Sequence, residues 1–309
     1  MPICSFLGTV INSALDWIGN ETKGWLLNCW LVSNSIKTSA LRKIKRPVLL
    51  ETRHVCAAYG KHNVLSDVSV QFRPGRLTAI AGPNGCGKSS LLKAIMGFLP
   101  LSSGEILLDK TPISRSGRRT LARKIAYLPQ DCFCPDYMTL GELIELAGYN
   151  RYGLIGGPSR RDRDLFRSVL EIVGLSDKAG LPVNKLSGGQ RQRAWIAMVL
   201  AQDTDIILLD EPVNHLDMKY QFAILELVKD LTERRGKTVV AVLHDLNLTT
   251  TFADDAVLMR AGTCVTAGPV CETVTAPMIE QVFDIKTRLF PQDGRLICVP
   301  ERTPAEARI

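Results

Sequence analysis

The sequence predicts an α/β fold: a mixed β-sheet with flanking helices, and a mainly helical segment inserted in its middle. Strand and helix patterns alternate from about residue 48 onward. The runs DIILLD (205–210) and TVVAVL (238–243) are continuously apolar, which is typical of central parallel strands covered on both faces. The pattern turns helical over about 131–186. The length of 309 residues allows about two domains, or one large domain with an insertion.

Composition and charge exclude several classes of protein. With 46% hydrophobic and 22% charged residues, the chain is neither collagen-like, nor a coiled coil, nor largely disordered. Residues 1–46 hold six basic and two acidic side chains, while the rest holds the other 32 basic and 29 acidic ones. The folded part therefore has no basic stripe, which predicts that nucleic acid is not a partner. No apolar run approaches the length of about 18 residues that a membrane span needs.

Residues 1–47 are predicted to be an N-terminal extension of one large domain over 48–305. Three of the four tryptophans and the basic run KTSALRKIKR lie in this extension. Two interpretations stay open: a poorly ordered or mistakenly translated leader, and an amphipathic helix on a membrane surface. Nine cysteines without a CxxC pair predict reduced thiols rather than a disulfide framework or a metal site.

The first half of the domain begins with strands. Val68, Val70 and Phe72 alternate with polar residues, which predicts a half-buried strand. The apolar run at 77–81 ends in a glycine-rich turn, and LLKAIMGFL after it has helical character. Two further strands are predicted, at 105–109 and 124–128.

The segment over 131–186 is predicted to form a helical subdomain. Thr139 and Glu142 make a capping-box signature, so a helix begins there. The stretch GYNRYGLIGGPS (148–159) is predicted to be a glycine-rich loop, and 160–174 a second helix. One side of that second helix carries Leu165, Val169, Leu170 and Val173.

The last part of the domain returns to alternating strands and helices. A helix is predicted over 217–235, between the two central strands, and a hairpin from 256–259 and 263–267. The buried stripe of the helix is predicted to consist of Phe222, Leu225, Val228 and Leu231.

The stretch GPNGCGKS (82–89) matches the phosphate-loop pattern GxxxxGK[ST], and it lies between a strand and a helix as that motif requires. Glycines allow the backbone amides to surround a polyphosphate at the positive end of the helix. Lys88 is expected to reach the β- and γ-phosphates, the Ser89 hydroxyl to bind Mg²⁺, and Ser90 to add a phosphate hydrogen bond. The motif predicts a P-loop NTPase core. Its expected phosphate-binding residues are Gly82, Pro83, Asn84, Gly85, Cys86, Gly87, Lys88, Ser89 and Ser90.

Two adjacent carboxylates follow the apolar strand that ends at 209. Asp210 is the natural Mg²⁺ partner, and Glu211 is the candidate for polarising the attacking water. LSGGQRQR (186–193) supplies a second anion-binding arrangement, because Ser187 can cap a helix whose first amides are exposed.

With LSGGQ added to the phosphate loop and the paired acids, the sequence resembles the ATP-binding subunits of ABC transporters over about 50–300. The resemblance implies that Tyr59 stacks on adenine, that Gln130 is the Q-loop glutamine and an Mg²⁺ ligand, and that Asp217 is the D-loop aspartate. It also implies that His244 is the switch histidine, catalytic together with Glu211. The signature residues expected at ATP are Ser187, Gly188, Gly189 and Gln190.

The resemblance further implies the partners. Two copies face head to tail, with each ATP between Lys88 of one and Ser187 of the other. Membrane permease subunits dock on the helical subdomain, and a periplasmic or lipoprotein substrate-binding protein delivers the cargo. The expected location is peripheral, on the cytoplasmic face of the plasma membrane. Candidates for the permease-facing surface are Phe133, Tyr137, Met138, Tyr149 and Tyr152; packing within the subdomain is the alternative for these side chains.

The amino-acid sequences of the motifs are similar to those of ATPases that drive bacterial uptake of ferric siderophores, haem and cobalamin. The implied function is ATP hydrolysis that energises uptake of an iron chelate. Two departures occur: Ser90 replaces a more common threonine, and Val213–Asn214 replaces the usual Thr–Thr. Import of haem or cobalamin, and a soluble ABC ATPase such as an iron–sulfur assembly factor, remain the alternatives.

Overall fold

The computed structural model describes residues 48–214, 216–292 and 295–301; the extension predicted over 1–47 lies outside the described residues. The elements of its first half are β1 (Leu50–Tyr59), β2 (His62–Phe72), β3 (Leu77–Ala81), α1 (Lys88–Ile95), β4 (Leu101–Leu108), β5 (Thr111–Pro112), α2 (Arg118–Ala122), β6 (Ile125–Leu128), α3 (Leu140–Ala147), α4 (Tyr149–Gly156) and α5 (Arg160–Ile172). Those of its second half are α6 (Gly188–Ala201), β7 (Ile206–Leu209), α7 (Met218–Glu233), β8 (Thr238–Val242), α8 (Leu246–Phe252), β9 (Asp255–Arg260), β10 (Thr263–Pro269), α9 (Val270–Thr273), α10 (Ala276–Phe283), β11 (Thr287–Gln292) and β12 (Arg295–Pro300).

The central layer is a six-stranded sheet in the order β10-β9-β3-β8-β7-β6. Strands β9, β3, β8, β7 and β6 are parallel, and β10 joins the edge antiparallel to β9. Every residue of β3, β7 and β8 is buried, which explains why these strands are continuously apolar. The predicted α/β fold with a mixed sheet is confirmed. Since the carboxyl ends of parallel strands meet at one edge, the segments after β3, β7 and β8 lie close together.

A second, antiparallel sheet has the order β2-β1-β4-β5. The alternation predicted in β2 is confirmed, because Val68, Val70 and Phe72 are buried while the residues between them are exposed. The buried face of this sheet packs on α1 and on one face of the central sheet, in a core that includes Phe72, Leu91 and Val240. The helix that follows the phosphate loop is thereby fixed on both sides.

Helices α3, α4 and α5 lie between β6 and α6, as the sequence indicated for the helical insertion. The capping box of α3 is present: Thr139 N–H donates to Glu142 Oε2 at 2.8 Å, and Glu142 N–H donates to Thr139 Oγ1 at 3.3 Å. The apolar side of α5, including Leu165 and Val169, is buried in one core with residues of α3 and α6. This core holds the helical segment against the central sheet.

The structure corrects two sequence predictions. The stretch 148–159 is not a loop throughout, because α4 begins directly after α3. Gly148 keeps a right-handed helical backbone (φ −80°, ψ −5°), and Arg151 on α4 donates to the carbonyl oxygen of Gln202 at 2.7 Å. Tertiary contacts of this kind outweigh the low helix propensity of the glycines. Phe222, predicted in the buried stripe of α7, is 39% exposed and packs edge-on against Phe252 at 5.4 Å between ring centroids.

The chain after β8 completes the edge of the central sheet. The predicted hairpin is confirmed as β9 and β10. A second hairpin, β11–β12, was not predicted; it is joined to α8 where the amide N–H of Cys298 donates to Asn247 Oδ1 at 2.8 Å. Within the described residues, no helix is long and apolar enough to cross a membrane, and every cysteine is a free thiol.

Candidate nucleotide-binding site

The phosphate loop runs from the end of β3 to the start of α1, at the edge where the parallel strands end. Gly87 has a φ of 101°, and a Cβ atom there would lie 2.6 Å from the carbonyl oxygen of Val64. Only glycine fits this position without moving the backbone. The close approach of β2 holds the loop over the first turn of α1, where backbone N–H groups are free for an anion.

Lys88 lies inside the loop and is only 5% exposed. Its Nζ donates to the carbonyl oxygens of Gly82 at 2.9 Å and Pro83 at 2.8 Å. These carbonyls hold the ammonium group at the centre of the loop, where it can meet phosphate oxygens. Cys86 Sγ lies 3.9 Å from the same ammonium group, and burial raises the pKa of the Cys86 thiol.

Ser89 and Asp210 meet on the floor of the site. Ser89 Oγ donates to Asp210 Oδ1 at 2.8 Å, and the Tyr127 hydroxyl donates to Asp210 Oδ2 at 3.2 Å. Burial raises the pKa of Asp210 above its ordinary value, although both hydrogen bonds oppose that shift. A buried carboxylate beside a hydroxyl is a hard oxygen donor set, which fits Mg²⁺.

The Glu211 carboxylate is contacted by side chains from several parts of the site. Gln130 Nε2 donates to Glu211 Oε2 at 2.9 Å, and His244 Nε2 lies 2.6 Å from Glu211 Oε1. Asn214 Nδ2 also donates to Oε2. The backbone of Glu211 is left-handed, with a φ of 54°, a conformation that is uncommon for residues with a Cβ. The end of β7 thus turns sharply and directs the Glu211 carboxylate toward the loops after β6 and β8.

These groups surround a cavity of about 670 Å³. The predicted residues that line it are Asn84, Gly85, Gly87, Lys88, Ser89, Ser90, Gln130, Glu211 and His244. Asp210 lies behind Ser89, and Gly82 and Pro83 contribute the carbonyls that hold Lys88. The structure therefore brings together residues that are up to about 160 positions apart in the sequence.

The remaining predicted residues lie outside this cavity. Tyr59, at the end of β1, is 51% exposed. Ser187 caps α6: Gln190 N–H donates to Ser187 Oγ at 3.4 Å, and Ser187 N–H donates to Gln190 Oε1 at 3.1 Å. Gly188 and Gly189 form the first turn of that helix, and Asp217 caps α7 by accepting a hydrogen bond from the Tyr220 N–H at 3.1 Å.

Sequence reasoning missed three residues at this site. Val64 and Asn214 line the cavity, and Tyr127 reaches Asp210 from the neighbouring strand β6. The position of Tyr127 in the predicted strand KIAYL is the one available signal, because a tyrosine hydroxyl that is removed from solvent usually has a hydrogen-bond partner. Nothing in the local pattern around Val64 indicates its place beside the phosphate loop.

Comparison with known proteins adds the family. Residues 65–214 match the model of the ABC transporter family. The chain is 37% identical, over 81% of its length and 93% of the relative's, to the petrobactin import ATP-binding protein FpuD of Bacillus anthracis. It is also 37% identical, with the same coverage of both chains, to the ferric enterobactin transport ATP-binding protein FepC of Escherichia coli strain K12.

Solved structures share this fold. The chain superposes with a TM-score of 0.71 on a metal-chelate-type ABC transporter in an inward-facing conformation, at 23% identity, over 82% of this chain and 98% of that one. It superposes with a TM-score of 0.65 on a dimeric bacterial ABC transporter cassette, at 29% identity, over 72% of this chain and 98% of that one. The phosphate loop, the acidic pair after β7 and these similarities together show that the chain belongs to the family of ATP-binding proteins of ABC transporters.

Proposed function

We propose that this protein is the ATP-hydrolysing subunit of a membrane importer that takes up an iron chelate such as a ferric siderophore. The observation that carries the proposal is the convergence of Lys88, Glu211 and His244 on one cavity beside the Ser89–Asp210 pair. The relatives FpuD and FepC, whose names refer to petrobactin and ferric enterobactin, support the class of cargo. Haem or cobalamin import is the nearest alternative, and an iron–sulfur assembly ATPase is a more distant one.

The site residues have separate roles in ATP binding and hydrolysis. The loop amides and Lys88 bind the β- and γ-phosphates, and Tyr59 stacks on the adenine. Ser89, Asp210 and Gln130 would hold Mg²⁺, which supplies positive charge to the phosphate oxygens. Glu211 accepts a hydrogen bond from a water molecule. The oxygen of this water forms a bond to the γ-phosphorus, while the bond between the γ-phosphorus and the bridging oxygen of the β-phosphate breaks. The water proton passes to Glu211, and His244 contacts the γ-phosphate.

The position of the signature residues accounts for a requirement for two copies of the chain. Ser187 to Gln190 lie outside the cavity of their own chain, and the N–H groups of Gly188 and Gly189 in the first turn of α6 have no partner within the helix. We infer that these amides meet the γ-phosphate bound to a second copy, so that ATP joins a head-to-tail homodimer. The dimeric cassette with the same fold supports this arrangement. Asp217 then lies at the contact between the two copies.

The helical segment is the proposed contact with the permease. Phe133 is 89% exposed and Tyr137 is 81% exposed, both just after Gln130, while Tyr149 is partly exposed. Met138 and Tyr152 are partly buried against the core, so packing within the segment is their main role. Through the permease, the protein works at the cytoplasmic face of the plasma membrane, and an extracytoplasmic substrate-binding protein supplies the cargo.

The test of the proposed function is Glu211→Gln. Loss of a general base lowers kcat by about 10²- to 10⁴-fold, so the variant should bind ATP, hydrolyse it very slowly and accumulate as a dimer in gel filtration with ATP. Glu226→Gln, at an exposed position on α7, is the matched control and should turn over normally. Normal turnover of Glu211→Gln would remove Glu211 from its role.

The cargo is tested in a deletion strain grown on single iron sources. Growth on a ferric siderophore should require the wild-type gene and fail with Glu211→Gln. A defect confined to haem, or to cobalamin in a cobalamin auxotroph, would establish the alternative cargo.

A further inference from the structure

Asn214 contacts Glu211 through both its backbone and its side chain. The Asn214 backbone N–H donates to the Glu211 carbonyl oxygen at 3.3 Å, which closes the turn after β7. The side-chain Nδ2 donates to Glu211 Oε2. Asn214 also lines the cavity. Asn214 is therefore in direct contact with the carboxylate that we propose as the base.

Among the described residues, three side chains contact the Glu211 carboxylate, and they differ in where they come from. Gln130 follows β6 and His244 follows β8, so their contacts depend on how those loops lie. Asn214 belongs to the same turn as Glu211, so its contact with the carboxylate does not depend on those two loops. Gln130 and Asn214 share Oε2, whereas His244 faces Oε1.

We propose that Asn214 is a positioning residue that fixes the direction of the Glu211 carboxylate toward the attacking water. The inference rests on the proposed function of Glu211 as the base. When Gln130 turns from Glu211 to the Mg²⁺ site, Oε2 keeps one donor, and that donor is Asn214. The carboxylate then stays in its orientation while the loop after β6 moves.

The chemistry of an amide suits this task. A neutral donor orients a carboxylate without placing a full positive charge beside a group that must accept a proton. An aspartate in its place would have nearly the same shape but would put a negative charge against Glu211 and offer no donor. An alanine would leave Oε2 without its local partner. Both changes should therefore alter the chemical step rather than nucleotide binding.

The first experiment measures kcat, KM and the dissociation constant of a fluorescent ATP analogue for Asn214→Ala and Asn214→Asp. Misplacing a reacting group by about 1 Å can cost about 10²-fold in rate. We expect kcat to fall by about 10- to 100-fold, further for Asn214→Asp, while the dissociation constant changes less than about threefold. An unchanged kcat, or a loss of rate explained by weaker binding, would overturn the proposal.

The matched control is Gln221→Ala. Gln221 Nε2 donates to the carbonyl oxygens of Val213 at 3.4 Å and Leu216 at 3.0 Å, so it supports the same loop from α7. This variant should keep kcat within about threefold if the contact with Glu211 is what matters. A loss equal to that of Asn214→Ala would show that loop integrity alone explains the effect, and would refute the positioning role.

A second readout separates positioning from dimer contact. In the Glu211→Gln background, adding Asn214→Ala should leave the ATP concentration needed for dimer formation unchanged. A large rise in that concentration would assign Asn214 to the dimer interface and overturn the proposal. Normal turnover of Glu211→Gln alone would instead refute the proposed function, so the two failures are distinguishable.

Discussion

Asp254 offers a stability test that can be worked out from three contacts. Its carboxylate accepts hydrogen bonds from Lys229 Nζ on α7 at 2.6 Å, from the Leu77 N–H at the start of β3 at 2.9 Å, and from Arg76 at 3.3 Å. It therefore ties α7 to the strand that leads into the phosphate loop. Burial acts to raise the pKa of Asp254, but the hydrogen bonds and charges of Lys229, Leu77 and Arg76 outweigh it, so the pKa is lowered.

The perturbation is Asp254→Asn, which keeps the size and one acceptor oxygen but removes the charge. A hydrogen bond to a charged group contributes about 1.5–3 kcal/mol, whereas an ion pair with the half-exposed Arg76 adds at most about 1 kcal/mol. One acceptor survives in the variant. We expect the free energy of unfolding at pH 7.5 to fall by about 2–3 kcal/mol, measured by urea denaturation.

The lowered pKa of Asp254 determines how this stability difference changes with pH. Because the folded-state pKa of Asp254 lies below the unfolded-state value of about 3.9, the ionised form stabilises the fold at every pH above that value. This contribution is lost as the pH falls through the folded-state pKa. The difference between wild type and Asp254→Asn should therefore be constant from pH 7.5 to 5.5, and should shrink below about pH 4.

Asp230→Asn is the matched control. Burial raises the pKa of Asp230, although Arg234 Nε lies 2.6 Å from its carboxylate. The ionised form of Asp230 therefore carries a cost above that pKa, and its removal should leave the free energy of unfolding at pH 7.5 unchanged or slightly higher. Equal losses in both variants, or a loss in Asp254→Asn that grows as the pH falls, would refute the reasoning.

Three further predictions concern the phosphate loop, the core and the surface of this protein that is proposed to contact the permease. Gly87→Ala should weaken ATP binding by more than tenfold in equilibrium titration, because its Cβ would lie 2.6 Å from the backbone carbonyl oxygen of Val64. Gly85→Ala should weaken ATP binding less than Gly87→Ala does, since nothing lies within 4 Å of its Cβ, and equal losses of affinity would contradict this. Lys237→Met should lower the free energy of unfolding by about 3–5 kcal/mol in urea, because it removes the buried ammonium group that contacts the Asp203 carboxylate at 3.1 Å and donates to the Thr204 carbonyl oxygen at 2.6 Å. A loss below about 1 kcal/mol would refute that estimate. Phe133→Ser should reduce co-purification with the permease, and undiminished co-purification would place the docking surface elsewhere.

Much of the site could be predicted because its motifs are local. The phosphate loop needs a strand, a run of glycines and a helix within a few residues, and the sequence contains all three around Lys88. The two acids come directly after β7, a buried apolar strand that is recognisable in the sequence. In a parallel sheet, such strand ends meet at one edge whatever the lengths of the connections, so the convergence of Lys88 with Asp210 was predictable as well.

Other features depend on contacts between segments far apart in the sequence. The helix α4 forms although its glycines favour a loop, and Arg151 ties it to the carbonyl oxygens of Ala201 and Gln202 at the end of α6. Phe222 lies near the start of α7, where it contacts the ring of Phe252 but stays 39% exposed. A local pattern cannot encode either result, because each depends on which surface another element leaves open.

By itself, the sequence determined the α/β core, the phosphate loop, the acids that follow β7 and the family, because each is specified by short-range chemistry or by motifs in a fixed order. Tertiary structure alone decided which donors surround Glu211, and that Tyr127 shares Asp210 with Ser89. The physical reason is that hydrogen bonds need atoms about 3 Å apart, and only the packed sheet brings side chains from four separate strand ends to that distance.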